Sequence, residues 1–189
     1  VSQKRQYSHV FSLPFERHEV FALFADPRHL DLLTPPWFRL APREPLPAKP
    51  VPGVEIRYRL RWRGIPWRWT SLITEWREPD FFAYEQKRGP YRYFRHEHAF
   101  TSTTSGTEIC DRVLFHGPAG ALADRLIALP DLRRIFAYRE RIASSVLASQ
   151  TRALDHLVAS GGSRPPAHHR RASRMPRTSA SSSPIERPT

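Results

Sequence analysis

The segment VEIRYRLRWRG, residues 54–64, alternates without a break: Ile56, Tyr58, Leu60 and Trp62 take one parity, Arg57, Arg59, Arg61 and Arg63 the other. A strand sends successive side chains to opposite faces, so the pattern describes one apolar and one solvated face. An antiparallel sheet with a core on one side is the arrangement that satisfies it. Gly64-Ile65-Pro66 turns the chain and WRWTSLITEW returns. PDFFAYEQ, the stretch after Gly89-Pro90, and TEICDRVLFH supply further strands, with TSTTSG as a turn between the last two. A hairpin-linked meander is expected, and no glycine-rich phosphate loop interrupts it.

The flanks change texture. YSHVFSLP reads as a strand; beyond Pro14, the residues Val20, Phe21, Phe24 and Ala25 make a helical stripe that Asp26-Pro27 breaks. A second short helix is expected through His29, Leu30, Leu32 and Leu33, stopping at Thr34-Pro35-Pro36. The prolines of FRLAPREPLPAKPVPG confine that segment to a short edge strand and a loop. After the last strand, Leu122, Leu126 and Leu129, then Ile135, Phe136, Arg139, Ile142, Val146, Leu154 and Leu157, recur at helical spacing. Proline lacks a helical donor, so a bend or break is expected at Pro130, with a new start near Asp131. The expected class is α+β: a long C-terminal helix packed on a curved antiparallel sheet, with two short helices after the first strand.

Composition sets limits. The 189 residues suit one domain, residues 1–159, followed by a tail over 160–189. From Gly161 the chain is rich in Ser, Pro and Arg and nearly free of large apolar residues, which predicts disorder. No run approaches a membrane span, no signal-peptide core opens the chain, and the lone Cys110 leaves no internal disulfide. A cytoplasmic setting is the expectation. The net charge of +12 invites nucleic acid, an acidic partner protein or an anionic membrane surface. However, the tail holds six arginines against Glu186 alone, and lysine appears only at Lys4, Lys49 and Lys87. On the alternating strand the arginines and the aromatics Tyr58 and Trp62 lie on opposite faces, whereas a base-stacking platform needs both on one. Nucleic-acid binding is therefore the weakest of the candidate functions.

FRHEHAF, residues 94–100, carries the one pattern with obvious chemistry. Phe94, His96, His98 and Phe100 share a face. Paired histidines on a strand suit a metal, but no carboxylate follows before Glu108, and Asp111 or His116 joins them only through cross-strand register. No metal and no cofactor is expected. No GxSxG nucleophile motif occurs, and Cys110 has no adjacent base. Acid–base chemistry through His96 or His98 stays open beside the plainer reading of both as hydrogen-bonded wall residues.

Several blocks together resemble the helix-grip ligand-binding proteins of the SRPBCC superfamily, the START-like and polyketide-cyclase-like proteins. FFAYEQKRGPYRYFRHEHAF is similar to that family's strand-turn-strand block at Gln86, Gly89-Pro90-Tyr91, His96, His98 and Phe100. GTEICDRVLF is similar to its last strand at Gly106-Thr107 and Asp111, and GPAGALADRL with IFAYR to the start of its closing helix. FSLPFERHEVFALFADPRHLDLLTPP resembles its opening strand and paired helices. Tyr84 stands where an acidic residue is common there, and Phe94 where tryptophan is common. The resemblance spans residues 4–150 and implies a cavity between sheet and helix holding a hydrophobic or aromatic small molecule, lipid- or polyketide-like. The expected wall is Trp62, Trp69, Phe82, Tyr84, Phe94, His96, His98, Phe100 and Phe136, with Gln86 beside them. A non-catalytic binding protein is the first expectation; a cyclase or dehydratase using His96 or His98 as general base is the alternative.

Overall fold

Seven antiparallel strands form one sheet in the order β1-β7-β6-β5-β4-β3-β2, and a long helix closes its concave face. The computed structural model describes residues 4–43, 45–117 and 119–160. The strands are β1 (Arg5–Leu13), β2 (Ala41–Pro42), β3 (Glu55–Trp62), β4 (Ile65–Arg77), β5 (Phe81–Arg88), β6 (Tyr93–Thr103) and β7 (Gly106–His116). Helix α1 (Arg17–Ala25) follows β1; a single turn α2 (Ala121–Ala123) and a π-helical turn at Asp124–Ala128 lead into α3 (Leu129–Ser160). The tail from 161 lies outside the described residues, as do residues 1–3.

The alternation predicted for β3 is what the strand shows: Ile56, Tyr58 and Leu60 are buried while Arg57, Arg59 and Arg61 are exposed. Arg63 departs from that stripe. With Gly64 it forms the two-residue turn to β4, at φ 51° and 81°, because a right-twisted hairpin favours positive φ at both central positions. Between β4 and β5 the register slips at Thr70/Ser71 and again at Ile73/Glu75. Such irregularities bend a strand and increase its twist, which lets the sheet curl around the helix.

One expectation for the helices changes and another takes a particular form. One α-helix, α1, follows β1; residues 30–34 form turns between 3-10 turns at Pro27–His29 and Pro36–Phe38. Asp26 accepts the Arg28 amide at 2.8 Å and starts the first of these, and the closely spaced prolines leave no room for a longer ladder. At Pro130 the expected interruption takes the form of a π-helical turn just before it, with the α-helix starting at Leu129. The Leu129 amide reaches back five residues to the Asp124 carbonyl, and this wider turn absorbs the donor that proline lacks. It also rotates the stripe: Leu122 and Leu126 come out exposed, while Asp124 and Ala128 are buried.

Two apolar clusters fill the space between the layers. Phe11, Leu13, Val20, Phe21, Phe24, Phe82, Phe100 and Ile109 pack around α1 with Ala143 and Leu147 of α3. Ile56, Tyr58, Leu60, Trp69, Phe94, Val113 and Phe115 pack against Leu132 and Phe136 from the first half of α3. Among the described residues no helix is long and apolar enough to cross a membrane.

Candidate functional site: a divided cavity with polar points

Strand register builds the polar centre. Across β5 and β6, Tyr84 stands opposite His96; across β6 and β7, His98 stands opposite Asp111. These side chains point into the fold, and His96, His98 and Asp111 are almost wholly buried. The Tyr84 hydroxyl and His96 Nδ1 are 2.8 Å apart, and His96 Nε2 is 3.2 Å from Asp111 Oδ1. An ionised Asp111 accepts from Nε2–H, so Nδ1 carries a lone pair and accepts from Tyr84. His98 Nδ1 lies 2.5 Å from the same Asp111 oxygen, off the line of an aligned hydrogen bond. Among the described residues Asp111 Oδ2 has no hydrogen-bond partner.

Burial sets the protonation states. It pulls His96 down to about 3, aided by the neighbouring His98 and opposed by the Asp111 hydrogen bond. Burial lowers His98 too, against the pull of the Asp111 charge. Burial alone would raise the Asp111 carboxyl, but its contacts with both histidines outweigh that and hold it low. Burial pushes the Tyr84 hydroxyl up to about 12. At neutral pH the group is an ionised carboxylate, two neutral imidazoles and a neutral phenol.

The carboxylate missing from the linear spacing near His96 and His98 is thus supplied by register. The ligand atoms of His96, His98 and Asp111 all lie within 4.8 Å of one another, the spacing of a metal site. The fit is poor in detail. Zinc held at its usual bond lengths would set tetrahedral neighbours about 3.3 Å apart, whereas His98 Nδ1 and Asp111 Oδ1 stand 2.5 Å apart.

Two adjoining cavities open beside this group. The smaller, about 560 Å³ with its mouth, is lined in part by Phe24, Leu30, Ile73, Trp76, Phe82, Tyr84 and His98. The larger, about 660 Å³ with its mouth, is lined in part by Leu60, Trp62, Trp69, Tyr91 and Ile135. Leu30, Tyr58, Tyr84 and Arg139 line both. A second polar point sits on the far side: Ser71 Oγ accepts from Trp69 Nε1 at 3.0 Å and lies 2.7 Å from the Tyr58 hydroxyl.

Of the expected wall, Phe82, Tyr84 and His98 line the smaller cavity, and Trp62, Trp69 and Tyr84 the larger. Phe94, His96, Phe100 and Phe136 are buried but line neither. Gln86 braces the turn after β5 instead: its Nε2 donates to the Tyr91 carbonyl at 2.7 Å. Tyr58, Ser71, Tyr91 and Arg139 are wall residues that the sequence reading did not name. For Arg139 a signal existed: it is a charged residue in an otherwise apolar stripe, Ile135, Phe136, Ile142 and Val146.

On the outer face of the sheet, Arg95 pairs with Glu75, Glu85 and Glu97, and Arg112 with Glu97. Arg57 pairs with Glu55. Tyr58 is buried and Trp62 half-buried, both facing the cavity, so neither stacks beside the exposed arginines of β3.

The layer order, the curl of the sheet and the closing helix are those of the helix-grip fold. No family model and no curated protein matches this chain. Solved structures do. Ara h 8.0201 superposes with a TM-score of 0.60 at 15% identity, over 78% of this chain and 99% of its own. Protein Ms6760 from Mycobacterium smegmatis gives 0.59 at 15%, over 79% and 98%. The di-domain ARO/CYC protein StfQ of the steffimycin biosynthetic pathway gives 0.59 at 13%, over 77% of this chain and 52% of StfQ. At such identities the likeness establishes the fold.

Proposed function

We propose that this chain binds a hydrophobic or aromatic small molecule between its sheet and helix α3. The observation that carries the reading is the pair of adjoining cavities, with apolar and aromatic walls and a few convergent polar groups. Tyr58, Tyr84, Trp62 and Trp69 present flat apolar surface, their polar tips being held by Ser71, His96, Asp131 and Ser71 in turn, and such surface suits a ring system. The test uses the neutral fluorophore N-phenyl-1-naphthylamine. Saturable enhancement that is lost in a Tyr84→Trp, Leu60→Trp variant filling both cavities supports the reading; wild-type protein that does not enhance the dye sinks it.

One observation favours a cyclase or dehydratase as second reading, and it selects His98 over His96. His98 lines the smaller cavity, Asp111 lies against its Nδ1, and no protein group among the described residues hydrogen-bonds its Nε2. A carboxylate behind one ring nitrogen with the other free is the arrangement of a general base. His96, satisfied on both nitrogens and held at about 3, is poorly matched to proton abstraction near neutrality. With a cyclisable poly-β-ketone analogue, His98→Asn should abolish turnover and preserve dye binding; undiminished turnover removes the reading.

A further inference from the structure

Arg139 occupies the middle of the buried stripe of α3, between Phe136 and Ala143, and is 7% exposed. Its guanidinium has one long hydrogen bond, Nε to the Leu33 carbonyl at 3.4 Å, and lies 5.1 Å from the centre of the Phe136 ring. None of the carboxylates of the described residues comes within ion-pair distance of it. The two terminal nitrogens have no protein partner among the described residues, yet neither is sealed off, and Arg139 lines both cavities.

That combination is costly for an apo protein. A guanidinium does not shed its proton on burial, and its five donors ask for acceptors. Buried charges are as a rule paired and hydrogen-bonded. Phe136 supplies one face and Leu33 one acceptor, which leaves the fork of terminal N–H groups open toward the space where the two cavities meet. The nearby buried anion, Asp111, is already engaged by His96 and His98.

We infer that Arg139 is the receptor for an anionic oxygen of the ligand, so the cavity takes an aromatic or hydrophobic organic acid, best a planar carboxylate that the guanidinium grips with two parallel hydrogen bonds. This rests on the ligand-binding reading above and narrows it from amphipathic molecules in general to anions. Tyr58 and Tyr84 also line both cavities, so these residues border the same junction as the bound head group. The apolar body then lies against Trp62, Trp69 and Tyr91 in the larger cavity. A planar guanidinium fork matches a carboxylate in a way that a lysine ammonium does not.

The experiment is displacement of N-phenyl-1-naphthylamine from the full-length chain by two isosteric competitors, naphthalene-2-carboxylate and the neutral naphthalene-2-carboxamide. A neutral reporter keeps the many surface arginines out of the measurement. In the wild type the carboxylate should displace the dye at about tenfold lower concentration than the amide, the worth of one charge-assisted contact. Arg139→Met should erase that preference, so that carboxylate and carboxamide displace whatever dye the variant binds at concentrations within about threefold of each other. Equal competition by the two compounds in the wild type, or a preference that survives in Arg139→Met, overturns the inference and leaves the cavity reading standing. Should Arg139→Met fail to fold by circular dichroism, the wild-type comparison decides alone. Failure of the dye to bind at all brings down the cavity reading, and this inference with it.

Discussion

The Trp62 indole nitrogen donates to the Asp131 carboxylate over 2.7 Å, tying the β3–β4 hairpin to the first turn of α3 at the rim of the larger cavity. Arg63 adds two bonds to the same carboxylate, at 3.0 and 3.1 Å. Sheet and helix meet here through a polar clasp, not through packing alone.

Asp131→Ala should therefore loosen that rim. Arg63 is half-exposed and contributes little, but Trp62 would keep a shielded N–H without an acceptor. The expected loss is about 1–2 kcal/mol in urea unfolding, with faster dissociation of a bound fluorophore. Unchanged stability would show that the clasp is ornamental.

Acid should destabilise the protein earlier than its carboxylates require. His96 titrates near 6.5 when unfolded and is held at about 3 in the fold by burial. Between those values the unfolded chain binds the extra proton, so stability rises with pH there. It is fully present above about 6.5 and drains away as pH falls toward 3. His98, lowered by the same burial, adds to the trend. Thermal midpoints taken from pH 7 to pH 4 should fall steeply in the wild type and less steeply in a His96→Gln, His98→Gln variant. Parallel slopes would contradict the assignment.

Gly106 opens β7 at φ 138°, and a Cβ built there would meet the Leu13 carbonyl oxygen at 2.1 Å. Backbone cannot step aside as a side chain can, and side-chain-bearing residues rarely adopt that φ. Gly106→Ala should cost roughly 3 kcal/mol or more, or abolish soluble expression. Gly64, also at positive φ but with open space around it, should tolerate Asn with a far smaller loss.

Zinc should not stabilise the buried His96–His98–Asp111 group. The 2.5 Å approach of His98 Nδ1 to Asp111 Oδ1 is tighter than shared coordination allows, and the Arg139 charge disfavours a further positive charge on either histidine. Calorimetric titration with zinc is expected to show no binding that His98→Asn removes. A stoichiometric, histidine-dependent signal would reverse that view.

How far the residues disclosed their own arrangement depends on the kind of relationship involved. Period-2 alternation placed Ile56, Tyr58 and Leu60 inward, because the pleat leaves a strand no other choice. The same periodicity placed His96 and His98 inward but not beside Asp111, since that contact depends on β6–β7 register, a long-range property. Inward parity also says nothing of depth: Phe82 reaches a cavity and Phe94 does not. Pro130 marked where the α-helical ladder is interrupted but not in what form, because a π turn is another way than a break to seat a donorless residue. Arg139 stayed hidden because a charge in a helical stripe ordinarily marks its edge, and here it marks the centre.

The two-residue strand β2 pairs with β3 at Arg59 and Tyr58, and the Arg43 amide adds a bond to the Arg57 carbonyl, so among the described residues less than half of that eight-residue strand has a ladder partner on this side. An unpaired, regularly alternating border invites a second chain to continue the ladder. Its solvent side carries Arg57, Arg59 and Arg61 in succession, so a copy docking there in register would bring guanidinium against guanidinium. The stripe that first suggested a grip on nucleic acid would in that geometry set like charges against each other, which disfavours continuing the sheet through its own hydrogen bonds.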